Sequence, residues 1–314
     1  MSGLWSLLFL LGISLTYVSC QTTDADNETD TDNETDAAIN ETDVPIVHRK
    51  SRILNGLVSE ERDYRYLVSV MHLTNDVPTL LCGGAIIHRR YILTGAHCVH
   101  KYRSIDLVVR SGGVEAAHPS TPQKERRSFH RVVKTFFPRQ YANTPCRKHQ
   151  HDIAILKVQQ IFDLSDDTRY RKVILPEQDA DYEGVYGVVT GYGPDYDRES
   201  NTTNQPQAIE NYYLQYVTKV RALALVVIPN EVCQERASVV ITEKTICAQT
   251  CVPNAQTCFE DDGGPLVHNG VIIGILNDRQ CNPETPEMFT RVSKYLYFIK
   301  NVLEHQISYD IIVR

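Results

Sequence analysis

The feature that most constrains the fold is a succession of short runs rich in β-branched and aromatic residues, separated by turn residues. The clearest runs are YLVSVMHL (66–73), GGAIIHRRYILTGA (83–96), IDLVVRS (105–111), DIAILKV (152–158), YGVVTGY (186–192) and GVIIGIL (270–276). Many short strands in one chain favour a β-barrel or a β-sandwich. The period then changes, and one face of a helix is formed by Tyr295, Phe298, Ile299, Val302 and Leu303. The pattern predicts an all-β domain with a C-terminal helix.

Residues 1–20 predict a signal peptide that is removed from the mature protein. The stretch MSGLWSLLFLLGISLTYVSC carries no charge, and its apolar run from Leu4 to Leu15 is short for a membrane span. Small residues before Cys20 offer a cleavage point, although no basic residue precedes the run; a retained anchor is the alternative. We therefore expect a secreted, extracellular protein with no membrane span after signal removal.

The segment that follows, residues 21–52, is an acidic pro-segment by composition. Residues 21–43 hold nine acids and no bases or aromatic residues, which predicts disorder. The repeated NETD unit places glycosylation sequons at Asn27, Asn33 and Asn40, and a fourth lies at Asn201. A solvated spacer is the simplest role for this segment, and a calcium-binding or partner-docking tail is the alternative.

The formal net charge of −7 belongs to the acidic segment and not to the body of the chain. Residues 21–43 contribute −9 and residues 44–52 contribute +3, which leaves −1 for residues 53–314. A nearly neutral body gives no reason to expect nucleic acid or an anionic membrane as a partner.

Cysteine usage indicates an oxidising compartment. If Cys20 leaves with the signal peptide, an even set of eight cysteines remains, which predicts disulfides whose pairing the sequence alone does not define. These are Cys82, Cys98, Cys146, Cys233, Cys247, Cys251, Cys258 and Cys281. A zinc site is a weaker interpretation, because no paired C-x₂-C knuckles are present, and we expect no metal and no other cofactor.

Seven local stretches occur in the order found in one known family. They are SRILNG (51–56), LCGGAII (81–87), LTGAHCV (93–99), HDIAIL (151–156), VVTGYG (188–193), CFEDDGGPLV (258–267) and PEMFTRV (286–292). Together they resemble the segments of the chymotrypsin-like serine proteases over residues 53–305, with residues 306–314 as a C-terminal extension. The resemblance implies two packed six-stranded antiparallel β-barrels, a site in the cleft between them and a C-terminal helix.

The resemblance also implies three disulfides, Cys82–Cys98, Cys233–Cys247 and Cys258–Cys281. A further family bridge is missing on both sides, because Gly187 and His268 stand at its two positions. Cys146 and Cys251 are left over. They pair with each other, pair with another chain or remain free.

The catalytic triad implied by the resemblance is degenerate. In the family mechanism a serine attacks, a histidine takes its proton and an aspartate holds the histidine. His97 and Asp152 match the last two roles, but Asp262 stands at the serine position. A carboxylate has no proton to give and opposes the developing oxyanion, so we expect no catalytic residues and no useful proteolysis.

Other departures from the family pattern affect substrate binding. Glu260 replaces a glycine of the oxyanion hole, Glu287 replaces a glycine in the wall of the specificity pocket, and the pocket floor is Gln256. Residues 276–279 (LNDR) replace the strand that pairs with substrate, with one residue deleted. The resemblance therefore gives no substrate preference.

The remaining His97 and Asp152 have a structural interpretation. With Asp262 they would form an ion-pair cluster between the barrels, in which the acids favour the imidazolium. A divalent metal site and residual hydrolysis are the alternatives.

The activation site is the part of the family pattern that is kept. The resemblance implies cleavage after Arg52 within R-K-S-R, followed by insertion of the Ile53 amino group to pair with Asp261. No cysteine lies in residues 21–52 to tether the released segment. A cleavage-dependent switch is one outcome, and an inherited site that is never cut is the other.

The function that follows is a secreted, non-catalytic serine protease homologue. The resemblance implies a cofactor or decoy in an extracellular protease cascade, in an immune or reproductive-fluid setting. Its partners would be extracellular proteins, including active serine proteases or their substrates. An active extracellular hydrolase with altered chemistry is the alternative.

Overall fold

The computed structural model describes residues 57–58, 64–75, 77–111, 129–142, 150–165, 169–191, 220–252, 255–257, 261–277 and 284–314. These residues all belong to one compact unit, His48–Arg314. The signal peptide, the acidic pro-segment and the four sequons, at Asn27, Asn33, Asn40 and Asn201, lie outside the described residues.

The first barrel is built from the N-terminal half of the domain. Its strands are β2 (Leu67–Thr74), β3 (Val77–His88), β4 (Tyr91–Thr94), β5 (Leu107–Ser111), β6 (Phe129–Pro138) and β7 (Ala154–Val158). They pair in the order β6-β5-β2-β3-β4-β7, and a β6–β7 pairing closes the ring. All pairs are antiparallel, so short connections are sufficient to join neighbours.

The second barrel repeats this arrangement in the C-terminal half. Its strands are β8 (Tyr186–Gly191), β9 (Arg221–Ile228), β10 (Thr245–Gln249), β11 (Pro265–His268), β12 (Val271–Leu276) and β13 (Glu287–Arg291). They pair in the order β9-β10-β13-β12-β11-β8, and a β8–β9 pairing closes the ring. Two closed six-stranded barrels confirm the fold class that the sequence predicts, and closure removes the unpaired strand edges that a sandwich would leave.

Each end of the domain adds a short strand to the opposite barrel. Strand β1 (Leu57–Val58) pairs with β9 of the second barrel. Strand β14 (Ile311–Val313) pairs with the end of β6 in the first barrel and lies in the stretch expected as a C-terminal extension. The two exchanged strands link the barrels through backbone hydrogen bonds.

The described residues form four short helices beside the barrels. They are α1 (Ala96–Val99), α2 (Arg139–Ala142), α3 (Asn230–Arg236) and α4 (Leu296–Leu303), with 3₁₀ turns at Ser104–Asp106 and Val292–Tyr295. Helix α4 is the expected C-terminal helix, and Phe298, Ile299 and Val302 form its buried face. Among the described residues, no helix has the length and apolar character needed to cross a bilayer.

The predicted run at 83–96 is two strands rather than one. Arg89 and Arg90 are exposed at the turn between β3 and β4, because their charges cannot be buried between strands. The chain then leaves β4 at Gly95 and enters α1 directly. This turn of helix places His97 at the rim of the first barrel.

Candidate active site

Asp152 holds His97 by two hydrogen bonds at the end of the first barrel. The backbone N–H of His97 donates to Asp152 Oδ1 at 2.7 Å, and its ring Nδ1 lies 2.5 Å from Asp152 Oδ2. Asp152 is fully buried just before β7, and its carbonyl oxygen accepts a hydrogen bond of 2.8 Å from Thr290 Oγ1 of the second barrel. Both barrels therefore fix the position of the His97 ring.

Asp262 faces the other nitrogen of the same ring. Its Oδ2 lies 3.6 Å from His97 Nε2, and its side chain is almost fully buried. The carbonyl oxygen of Asp262 accepts a hydrogen bond of 2.7 Å from the Gly83 N–H, which crosses from the first barrel. The structure thus brings together all three positions of the degenerate triad, His97, Asp152 and Asp262.

The turn after Asp262 depends on glycine. Gly263 has a φ of +71°, a conformation that residues with a side chain rarely adopt. A Cβ on Gly263 would lie 2.5 Å from Thr94 Oγ1 and 2.8 Å from the Gly83 carbonyl oxygen. The two barrels approach so closely here that only glycine fits, and this contact fixes Asp262 opposite His97.

The charges around His97 favour its imidazolium form. Burial lowers the pKa of His97, but the charge and hydrogen bond of Asp152, with smaller contributions from Asp262, outweigh it and raise the pKa to about 10. The ring is therefore protonated at neutral pH. A protonated His97 between two carboxylates is an ion-pair cluster and has no lone pair available to accept a proton.

The sulfur atoms closest to His97 belong to a disulfide. Cys98 Sγ lies 3.4 Å and Cys82 Sγ 3.8 Å from His97 Nε2. These three residues are the only metal-ligand cluster among the described residues, but the two sulfurs are bonded to each other at 2.09 Å. A disulfide sulfur is not the thiolate that binds metals, so this group is not a ready metal site.

The predicted specificity pocket is crossed by Glu287. Its carboxylate accepts a 2.6 Å hydrogen bond from the backbone N–H of Thr257 and another from the Thr257 hydroxyl. Gln256 beside it is 5% exposed, and its side-chain oxygen is buried without a hydrogen-bond partner among the described residues. Glu287 therefore ties the wall strand β13 to the floor segment. Glu260 and residues 278–279 lie outside the described residues.

Asp261 is fully buried next to the end of β8. A Cβ on Gly191 would lie 2.0 Å from Asp261 Oδ1, so the carboxylate occupies the space that a side chain at 191 would need. The proposed cleavage site, Arg52 and Ile53, lies outside the described residues, and its ion pair with Asp261 stays a prediction.

Two of the three implied disulfides lie in the described part of the chain and are present, Cys82–Cys98 and Cys233–Cys247. Cys146, Cys258 and Cys281 lie outside it. Cys251 is disulfide-bonded to a partner outside the described residues, and its pairing with Cys146 stays a prediction.

The missing family bridge leaves no gap in the second barrel. A Cβ on Gly187 would lie 2.8 Å from Leu266 Cδ1, so packing by Leu266 occupies the space. The ring Nδ1 of His268 lies 2.6 Å from the Tyr186 carbonyl oxygen. The two positions that would carry the bridge are thus used by other contacts.

Sequence reasoning missed the threonines that support the site. Thr290 holds Asp152, and Thr257 holds Glu287. Thr94 donates a 2.7 Å hydrogen bond to the Gly83 carbonyl oxygen beside the Asp262 turn. Thr94 and Thr290 lie inside quoted motifs, but a hydroxyl next to a strand gives no indication of its partner in the other barrel.

Comparison with known proteins agrees with this geometry. The family model described as Trypsin matches residues 53–299. The chain belongs to the trypsin family.

Trypsin-family relatives of this chain include named peptidases. It is 28% identical over 258 residues to a collagenase of Hypoderma lineatum, covering 80% of this chain and 87% of that protein. It is 25% identical over 267 residues to mouse kallikrein 1-related peptidase b11, covering 81% of this chain and 90% of that protein.

A solved structure described as an inactivated protease is also similar. The scabies mite inactivated protease paralogue S-D1 matches with a TM-score of 0.63 and 20% identity, covering 81% of this chain and 98% of that one. At this identity the match shows the fold alone.

Proposed function

We propose that this trypsin-family chain is a secreted, catalytically inactive homologue that acts as a binding or regulatory protein. The observation that carries the proposal is the position of Asp262, whose carboxylate faces His97 Nε2 at 3.6 Å where the mechanism requires a hydroxyl. The proposed binding surface is the former substrate cleft between the two barrels, together with its loops.

The protonation states of His97 and Asp262 oppose acyl transfer. A nucleophilic hydroxyl must give its proton to a neutral histidine. Asp262 has no hydroxyl, and the raised pKa of His97 leaves the ring without a free basic nitrogen at neutral pH. Removing the nucleophile in a protease of this mechanistic class costs about 2 × 10⁶ in turnover.

The charge of Asp262 adds a second obstacle. A tetrahedral intermediate would place a negative oxygen near this carboxylate. Two unit charges about 4 Å apart at an effective dielectric constant of about 20 repel by roughly 4 kcal/mol, which is about a thousandfold in rate. The alternative in which His97 activates water is opposed by the protonation of the ring, because the imidazolium cannot act as the base.

The contact between Glu287 and Thr257 supports binding without cleavage. Glu287 hydrogen-bonds across to Thr257 beside Gln256, in the space where the family holds the substrate side chain. Any partner that lies in the cleft would therefore be recognised by surface contacts rather than by one side chain inserted in a deep pocket.

The extracellular part of the proposal depends on the N-terminal sequence and on the disulfides. The predicted signal peptide and the disulfides Cys82–Cys98 and Cys233–Cys247 fit an oxidising compartment. The retained R-K-S-R sequence supports cleavage after Arg52 as a switch that exposes or orders the binding surface. The proposed partners are extracellular proteins, including active serine proteases or their substrates.

The direct test is a hydrolysis assay on the matured protein. The full chain is expressed in a secreting host, cleaved after Arg52, verified by N-terminal sequencing from Ile53 and tested on a mixed peptide library beside Asp262→Ala. We expect equal, background rates for both proteins. Turnover that disappears in Asp262→Ala would overturn the proposal.

The binding role is tested separately in the native fluid. The protein is captured with an antibody to its C-terminal barrel, and its companions and its own N-terminus are identified. A stoichiometric extracellular protease or protease substrate is expected with a chain that begins at Ile53. An uncut chain recovered alone would contradict the switch and the partner.

A further inference from the structure

A cavity of about 200 Å³ lies apart from the cleft, where the C-terminal extension folds back on the domain. The extension supplies Ser308, Asp310 and Ile311 to its wall, and helix α4 supplies Phe298 and Asn301. Backbone pairing of β14 with the end of β6 holds these residues in place, since Ile311 lies opposite Pro138. The cavity therefore exists because the extension is a strand of the first barrel.

The polar lining of the cavity is rich in hydrogen-bond donors. His151 and Lys244 both line it, and the hydroxyl of Tyr295 lies 3.3 Å from His151 Nδ1. The hydroxyl oxygen of Ser308 is buried and has no hydrogen-bond partner among the described residues. An unpartnered buried hydroxyl costs free energy, and a ligand that accepts a hydrogen bond from it would remove that cost.

The two lysines of the lining differ in their carboxylate partners within the described part of the chain. Lys294 is engaged by Asp179 at 2.9 Å and by Glu243 at 3.3 Å. Lys244 forms none of the salt bridges found within the described part of the chain, although it lies close enough to His151 to act on its charge. The one carboxylate in the lining is that of Asp310.

The rest of the wall is apolar. Pro138, Phe298, Ile311 and the exposed Tyr297 border the cavity. An apolar wall beside a few placed polar groups is the usual composition of a small-molecule site. An apolar cavity of about 150 Å³ is known to hold benzene, so this volume suits a single ring with one substituent.

We propose that this cavity binds a small organic carboxylate, with its charged group on Lys244 and Ser308 and its apolar body against Phe298 and Ile311. The same observations argue against a cationic ligand, because Lys244 would repel it. The site is independent of the proposed protein-binding role of the cleft.

Binding is expected to be linked to protonation of His151. Burial first, and then the charge of Lys244, lower the pKa of this ring, so it is neutral when the cavity is empty. The other titratable groups of the cavity lining are Tyr295, which contacts the ring, and Lys244, Lys294 and Asp310. A bound carboxylate adds a negative charge and favours the imidazolium, so affinity should rise as pH falls towards and below about 6.5, where a carboxylate stays ionised.

The experiment is an NMR titration of the full chain with benzoate, read at the His151 ring, whose signals are assigned with His151→Gln. The matched variants are Lys244→Ala and Lys300→Ala, since Lys300 is a surface lysine on α4 paired with Glu304. We expect saturable shifts in the wild type and affinity about 10-fold or more weaker in Lys244→Ala. Lys300→Ala should match the wild type, and Lys244→Arg should keep most of the affinity.

Each control has a decisive outcome. Benzylamine, the cationic analogue, should not shift the His151 signals, and inorganic sulfate should bind more weakly than benzoate because it lacks an apolar body. Absence of saturable benzoate shifts, an equal affinity in Lys244→Ala, or sulfate binding as tight as benzoate would each overturn the proposal. None of these results depends on whether the cleft binds a protein.

Discussion

At the scale of single residues, this protein is distinguished by the charges around His97. Asp152 and Asp262 lie at 2.5 Å and 3.6 Å from its two ring nitrogens. Both acids favour the protonated ring. The three residues form an ion-pair cluster in which both carboxylates are buried.

Asp262→Asn should lower the pKa of His97 by about one unit or more. The change removes one of the two negative charges that stabilise the imidazolium and keeps the side-chain shape. The measurement is an NMR titration of the His97 ring, with Asp106→Asn, at an exposed pair with Arg103, as the control. An unchanged pKa of His97 would show that Asp262 does not act on the ring.

Asp262→Ser alone should not restore proteolysis. The substitution returns the hydroxyl, but Glu287 still crosses the pocket to Thr257. We expect peptide hydrolysis by the Arg52-cleaved variant to stay at the background of Asp262→Ala. The comparison is the triple variant that also carries Glu260→Gly and Glu287→Gly. Turnover by Asp262→Ser alone would contradict the role of Glu260 and Glu287 in blocking proteolysis.

At the scale of elements, strand β14 joins the C-terminal extension to the first barrel. The Arg139 N–H donates to the Asp310 carbonyl oxygen at 2.8 Å, and Thr135 and Arg314 exchange two backbone hydrogen bonds of 2.9 Å. The guanidinium of Arg314 also lies over the Phe137 ring, 5.3 Å from its centroid. The extension therefore pairs with the end of β6 and is a structural part of the domain.

Ile311→Ala should destabilise the protein by about 2 kcal/mol, because Ile311 is 7% exposed and belongs to the core shared with α4. Val313→Ala on the same strand is the matched control, and it should cost less than about 1 kcal/mol because Val313 is 40% exposed. Urea denaturation of both variants gives the two values. Equal losses would indicate that β14 packs differently.

At the scale of the whole molecule, the cleft is held by contacts between two closed barrels. Gly83 of the first barrel donates to the Asp262 carbonyl oxygen, and Thr290 of the second donates to the Asp152 carbonyl oxygen. Strands β1 and β14 cross in opposite directions between the barrels. The charged cluster at the cleft should therefore affect the stability of the whole fold.

Global stability should be greatest near pH 6.5 and fall on both sides. The pKa of His97 is raised to about 10, so its contribution is complete below the unfolded value of about 6.5 and is lost as pH rises towards 10. Burial lowers the pKa of His130 to about 4, so stability is lost as pH falls from about 6.5 to 4. The loss of folding free energy due to His97 between pH 6.5 and pH 10 is on the order of a few kcal/mol.

Urea denaturation at a series of pH values measures the fall in stability on both sides of pH 6.5. Asp262→Asn should reduce the fall above pH 6.5 and leave the fall below pH 6.5 unchanged. A protein whose stability is constant from pH 6.5 to pH 10 would contradict the charged state assigned to His97.

Several features could be predicted from the sequence because they depend on local pattern. Alternating runs predicted the strands, the helical period at 295–303 predicted α4, and ordered motifs predicted the barrels and the positions of His97, Asp152 and Asp262. The turn at Arg89 that divides residues 83–96 into two strands was missed. The residues before and after this turn are both apolar, so the pattern does not mark where one strand ends and the next begins.

The sequence by itself determined the chemistry available to this protein: an acid at 262, two further acids at 260 and 287, and cysteines suited to disulfides. Only the tertiary structure decided that His97 lies between two carboxylates, that Glu287 binds Thr257, and that the extension borders a cavity with His151 and Lys244. The reason is physical. Residue identity fixes which charges and donors exist, but their pKa and partners depend on distances between residues far apart in the chain, which are set when the barrels pack.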